Sequence, residues 1–333
     1  MKRLILRVDQ HLARLVGNPW PICLVGLLLS GSILFHSTWS FDLYLDQNGK
    51  GYLGSNYWHL AQSIFSPQKA FYSESILWPL LARVLGASTD FFSFQILSGL
   101  LFLSLLPIIF LITRVAIPSN IGYLIGIFVF LISLNYLRNP VLGSPDPLTI
   151  IFVLMVCISR SKMIIVYSTL GALTHFHIMA ISIIALAPIY LLKDLPTKIN
   201  IRHLCYMLLG LFIAKLILVC WNIIFLYDIF DRTDFVMDKG LQFFLQRLFD
   251  APFNFFYTPG PYLLFVSLIM MFVLIYKKSY LSFLAYSWVL LIGYCAHFLT
   301  IDGLRIFTSV TIGGFFLAVT YCLNLIFSEN NLN

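Results

Sequence analysis

Asp42 and Asp46 stand four residues apart just past the first apolar run, so both carboxylates share one face if that helix continues. Two acids at a membrane–water boundary suit a general base or a metal ligand. The blander reading is a polar loop that stabilises an interface. Asp146 lies between Pro145 and Pro147 at an expected helix start, where a carboxylate caps the helix and suits its dipole. It could equally point into an outer cavity. His175 and His177 flank Phe176 at the tip between two short apolar runs. Residues two apart do not share a helical face, but at a helix break both rings could turn inward to form a metal or phosphate site. Taken singly, each is more ordinary as a hydrogen-bonded core histidine. Asp302 and Arg305 sit three apart in the last polar turn, where they pair with each other or leave Arg305 to grip a phosphate through two N–H groups. Lys215 falls in the middle of an apolar run, where a cation faces a cavity or a partner unless it snorkels.

The elements that must position these residues are membrane helices. The chain has 333 residues, 60% of them hydrophobic and 11% charged. Mean hydropathy is +0.90. Soluble domains carry about 25% charged residues. The expected fold is therefore all-α, a polytopic integral membrane protein in one transmembrane domain over 1–333. Apolar runs near 20–40, 91–113, 120–137, 147–159, 163–176, 177–192, 204–226, 262–276, 280–299 and 305–327 give about ten spans, although a full crossing needs about 20 residues. The runs 147–159 and 163–176 are short and read as a hairpin of half-buried helices. A single tilted helix over 163–192 is the alternative.

Charge decides between them. With the N-terminus inside and ten spans, twelve Lys and Arg fall in cytoplasmic loops and eight outside, with Lys215 completing the 21. Merging 163–192 would move Lys193, Lys198 and Arg202 outside and spoil that bias, so the split is kept. Eleven of the 14 acids, Glu74 among them, then fall on the outer face. Acids contribute little to insertion, so this asymmetry points to chemistry outside.

Residues 1–19 form a basic cytoplasmic segment, with Leu4, Ile5, Val8, Leu12 and Leu15 at the spacing of an interfacial helix. Lys2, Arg3, Arg7 and Arg14 ahead of an apolar run, with no small-residue cleavage signal, read as a signal anchor. The first extracytoplasmic loop, 41–90, holds Gly49, Gly51 and Gly54. Their spacing is too loose for a nucleotide fingerprint, and no strand precedes them. Asn56 to Phe65 reads as a short helix with Tyr57, Leu60, Ala61 and Ile64 on one face, followed by an apolar helix broken at Pro79. The second outer loop, 228–261, is acidic and aromatic. Its Leu241, Phe244, Leu245, Leu248 and Phe249 suggest a helix lying on the membrane surface. The six cysteines all lie in apolar segments without a CxxC, against a disulfide framework or thiolate metal site. No dense basic run suggests nucleic acid.

The order of these features resembles bacterial membrane proteins of the GT-C glycosyltransferase type. Asp46 with Gly51-Tyr52, then Tyr57, Leu60-Ala61, Phe71-Tyr72 and Leu77-Trp78-Pro79-Leu80-Leu81 are similar to that family's first loop. Ser144-Pro145-Asp146-Pro147-Leu148, Leu170 to His175, and Asp302 with Arg305 carry the rest of the likeness, which covers roughly residues 42–192. The chain departs from the pattern in lacking an adjacent acidic pair in the first loop and a soluble C-terminal domain. The resemblance implies an enzyme of the inner membrane that transfers a sugar from a polyprenyl-phosphate carrier to an envelope glycan, lipid or protein acceptor at the extracytoplasmic face. It also implies that the first-loop acid, best matched by Asp46 and next by Asp42, acts as base or helps position a divalent metal ion, while basic residues hold the lipid phosphate. Asp146, His175, His177, Asp302, Arg305 and Lys215 are the expected substrate-binding residues. One rival is an envelope polysaccharide polymerase or ligase, which would depend on Arg138, Arg232 and Arg247. Another is a transporter or flippase, which calls for inverted repeats and midplane charges; only Lys215 sits at that depth and no repeat is evident.

Overall fold

A computed structural model describes residues 18–36, 52–66, 69–70, 74–133, 143–191, 201–226, 228–229, 246, 261–298 and 303–328. These form twelve helices and one two-residue strand pair. In chain order the helices are α1 (Pro19–His36), α2 (Tyr52–Gln62), α3 (Leu77–Val84), α4 (Phe91–Ala116), α5 (Asn120–Ser133), α6 (Asp146–Ile158), α7 (Met163–Thr174), α8 (Phe176–Leu191), α9 (Ile201–Ile224), α10 (Pro261–Tyr276), α11 (Tyr280–Phe298) and α12 (Gly303–Ser328). Strands β1 (Lys69–Ala70) and β2 (Asp228–Ile229) pair in parallel and join the two long polar loops.

Each of the ten expected apolar runs holds a helix among the described residues. Four are long and apolar enough to cross a membrane: Phe91–Ala116, Ile201–Ile224, Tyr280–His297 and Ile306–Phe327. The other six apolar helices are shorter. At 1.5 Å per residue, the 12 residues of α7 span about 18 Å, well short of the roughly 30 Å hydrocarbon thickness. Among the described residues, four helices thus meet the length and composition of a full crossing. What the structure supports at this level is an all-helical chain with membrane character.

Helix α12 is the centre of the bundle, buried without interruption from Ile306 to Leu323. It lies against α6, α8 and α11. Small residues set those distances. A Cβ on Gly314 would come within 2.5 Å of Val289 and one on Gly313 within 2.8 Å of Val153, while one on Gly293 would collide with Thr311. Helices dissolved in lipid gain little from hydrophobicity alone, so close backbone approach at small residues is what holds them together.

The expected split of 163–192 is present. His175 ends α7 in an extended conformation (φ −158°, ψ 92°), and α8 begins at the next residue. Helix α9 then packs on both halves, most extensively on α7. Ser168 Oγ donates to the Met207 carbonyl at 2.8 Å and Thr169 Oγ1 to the Gly210 carbonyl at 3.1 Å. Gly210 lies so close that a Cβ there would meet the Ser168 Cβ at 2.6 Å.

Within the first loop, Tyr57, Leu60, Ala61 and Ile64 are all buried, as their spacing predicts. Two details differ from expectation. Helix α2 starts at Tyr52, ahead of Asn56, and so includes Gly54. The missing side chain there lets Gly143 approach, since a Cβ on Gly143 (φ +83°) would lie 2.6 Å from the Gly54 Cα. Pro79 does not break α3. It occupies the first turn, where its absent N–H leaves no bond unmade. The basic helix of 1–17 and the residues Leu241, Phe244, Leu245, Leu248 and Phe249 of the expected surface helix lie outside the described residues.

Candidate functional site

The break between α7 and α8 leaves the first turn of α8 open to the segment that leads into α3. Phe176 N–H, at the head of α8, donates to the Glu74 carbonyl at 3.3 Å. That bond fixes Glu74 over the helix end, and its carboxylate is then shared between two basic side chains. His177 Nδ1 lies 2.5 Å from Oε2. Lys215 Nζ, from α9, donates to Oε1 at 2.9 Å. The ammonium also sits 4.8 Å above the centre of the Phe176 ring, a cation–π contact, and the His177 ring stands edge-on to the same phenyl at 5.9 Å.

Burial on its own raises the Glu74 carboxyl pKa. The charge of His177, 2.5 Å away, followed by the hydrogen bond and charge of Lys215, outweighs it and brings the value from 4.5 down to about 2. Glu74 is therefore an anion at any physiological pH. The cluster is partly exposed at the protein surface, with His177 34% and Lys215 49% exposed at the side chain and Glu74 20%.

Lys215 lies nine residues before the end of α9, about 14 Å below its last turn. Glu74 meets it at that depth, so the segment that leads into α3 lies beside the middle of α9. Non-helical backbone is stable at such depth where protein or water, not lipid, surrounds it. Helix α3 follows Glu74 and packs on α7. Trp78 Nε1–H donates to the Gly143 carbonyl at 3.0 Å and its ring lies against Phe94. Arg83 donates to the Gln62 carbonyl at 3.0 Å, closing α3 onto the end of α2. At its other end this loop abuts α4, where Asp90 caps the helix through Ser93 N–H at 2.8 Å.

Of the residues expected to bind substrate, the structure brings His177 and Lys215 together. Asp146 and His175 are placed differently, both buried at 0% and 6% exposure. Asp146 is not the cap of α6. Pro145 holds that position and Asp146 is the first helical residue, still at the favourable end of the dipole but enclosed by packing and not aimed into an open outer cavity. The two histidines are separated by the break itself, one turned into the core and the other toward Glu74. Arg305 lies in the first turn of α12. Asp42, Asp46 and Asp302 lie outside the described residues.

Among the described residues no group of three or more His, Cys, Asp or Glu side chains could hold a metal ion. The Glu74 cluster is a poor metal site in any case, because Lys215 occupies one carboxylate oxygen. Glu74 is the member that sequence reasoning missed. A histidine at a helix break and a lysine within a span are conspicuous, whereas a glutamate in a polar loop is ordinary. Its only signal was membership of the acid excess on the outer face. Comparison with protein-family models, curated proteins and solved structures finds no match.

Proposed function

We propose that the chain is a membrane glycosyltransferase of the bacterial envelope that uses a polyprenyl-phosphate sugar donor at the extracytoplasmic face. The observation that carries this reading is the pair of basic groups, His177 and Lys215, gathered around the carboxylate of Glu74 ahead of α3. A donor of this class has an isoprenoid tail in lipid and a phosphate and sugar at the boundary. In this reading Lys215 would meet the phosphate, and Phe212 and Leu216, exposed on the same helix, would meet the tail. As the bond between sugar and phosphate breaks, negative charge grows on the leaving oxygens, and a fixed ammonium stabilises that charge more than it stabilises the intact donor. The acceptor hydroxyl loses its proton to a side chain of the same face, for which the resemblance nominates Asp46 or Asp42.

A charge pair at this depth also suits a carrier or flippase, which would move a lipid-linked sugar without cleaving it. The two readings part on chemistry. Purified full-length protein, mixed with lipid-linked sugars and envelope glycan extracted from a strain lacking it, should release polyprenyl phosphate and add a sugar mass to the glycan. Absence of release, with lipid-linked sugar crossing vesicles that contain the protein, would favour the carrier.

A further inference from the structure

We infer that Glu74 is a specificity-determining residue: its carboxylate limits the Lys215 site to lipid-linked sugars that carry one negative charge, a phosphodiester, and turns away those that carry two, a diphosphate. The inference rests on the transferase reading above and deepens it, since the resemblance assigns the phosphate to basic residues and gives no acid a part in choosing it.

A lysine ammonium is a compact charge with three N–H donors. One of those on Lys215 goes to Glu74 Oε1 at 2.9 Å, and the Phe176 ring lies 4.8 Å from Nζ. The side chain is 49% exposed, which leaves donors for a ligand. A phosphate oxygen held by one of them at about 2.9 Å, at the tetrahedral angle from Oε1, lies about 4.7 Å from that carboxylate oxygen. Glu74 has little freedom to move aside. Its carbonyl accepts from Phe176 N–H at 3.3 Å, and its second carboxylate oxygen, Oε2, sits beside His177. Ligand and carboxylate therefore share one ammonium.

The charges then decide what the site takes. Lys215 supplies one positive charge, His177 at most one, and the ionised Glu74 offsets one. The cluster never carries more than a single net positive charge. A phosphodiester balances it. The second charge of a diphosphate finds no surplus cation in the cluster and meets an anion held in place nearby. Two like charges about 5 Å apart at a protein surface change an affinity by roughly 10–100-fold. Without Glu74 the same two basic groups would suit a doubly charged ligand. Repulsion aimed at the wrong ligand is a general route to specificity, and here one carboxylate supplies it.

The test reads binding without turnover. Full-length protein in nanodiscs of zwitterionic lipid is titrated with two probes that share a tail, geranylgeranyl methyl phosphate with one charge and geranylgeranyl methyl diphosphate with two. The wild type should bind the singly charged probe tighter by about tenfold or more. Glu74→Gln should erase or reverse that preference, Glu74→Asp should keep it, and Lys215→Met should lose both probes. In the wild type itself, raising salt from about 0.05 M to about 0.5 M should narrow the preference, because screened charges repel less. Equal binding of the two probes by the wild type overturns the inference. So does a preference that Glu74→Gln leaves unchanged, that Glu74→Asp abolishes, or that salt does not move. If the wild type binds neither probe, or Lys215→Met binds both undiminished, the inference falls together with the placement of the phosphate at Lys215. The transferase reading is decided separately, by release of polyprenyl phosphate. Release without charge selection sinks the inference alone, whereas charge selection without release keeps Glu74 as selector and refutes the transfer.

Discussion

Glu74 gives the cluster a pH signature of its own. Its folded pKa of about 2 lies below the unfolded 4.5, so the unfolded chain binds more protons between those values. The carboxylate's contribution to stability is complete above pH 4.5 and is lost as pH falls through 2. Because Lys215 is half exposed and screened, that contribution is on the order of 1–3 kcal/mol. The melting temperature of detergent-solubilised wild type should fall more steeply between pH 5 and pH 2 than that of Glu74→Gln. Parallel curves would show that the carboxylate is not held as described. His177 and Lys215 were legible in the sequence because each is anomalous where it stands, one at a helix break and the other inside a span. Glu74 was not, since the contact that gives it meaning joins residues 141 positions apart. No local spacing encodes such a pair.

The segments that carry these residues are set by two close contacts. Helix α9 meets α7 at Gly210, which has no room for a Cβ beside Ser168. Gly210→Leu should push α9 outward and destabilise the protein by about 1–3 kcal/mol, with weakened Lys215 contact read as loss of the Glu74 pH signature. A melting temperature equal to the wild type's would count against this packing. Trp78 ties α3 to the loop before α6 through its indole N–H. Trp78→Phe keeps most of the ring but loses that bond, and should cost about 1 kcal/mol by the same assay. For the helices, periodicity and charge bias served well. The face of α2 and the split at His175 follow from them, the latter because a merged helix would have put three basic residues on the wrong side. They did not reveal that Gly54 is inside α2 or that Pro145, not Asp146, occupies the N-cap position of α6. Both depend on what packs against the helix end, and that partner comes from elsewhere in the chain.

For the molecule as a whole, the topology expected from the charge bias would put the 63–66 turn on the outer side and the 159–162 turn on the inner side of the membrane. Ser66 and Ser161 are both exposed there. In a cysteine-free variant of the chain, Ser66→Cys should react with an impermeant maleimide on intact cells, and Ser161→Cys only after lysis. Labelling of both from one side would contradict the topology. All-helical architecture and membrane character were legible from composition alone, because 60% hydrophobic residues in long runs leave backbone groups no partner but their own helix. The number of complete crossings was not. Over the described residues six of the apolar helices are shorter than a full crossing, and how such helices are placed depends on their neighbours, information that a hydropathy pattern lacks.

If the basic pair beneath the first polar loop works on a lipid-linked sugar, the envelope itself should record it. The mass profile of envelope glycans is to be measured in a deletion strain, complemented by wild type or by Lys215→Met at matched membrane levels. A sugar that is missing in the deletion, restored by wild type and still missing with Lys215→Met is the expected outcome. A glycan profile that the deletion leaves unchanged, or that Lys215→Met restores as fully as wild type, would refute the proposed role.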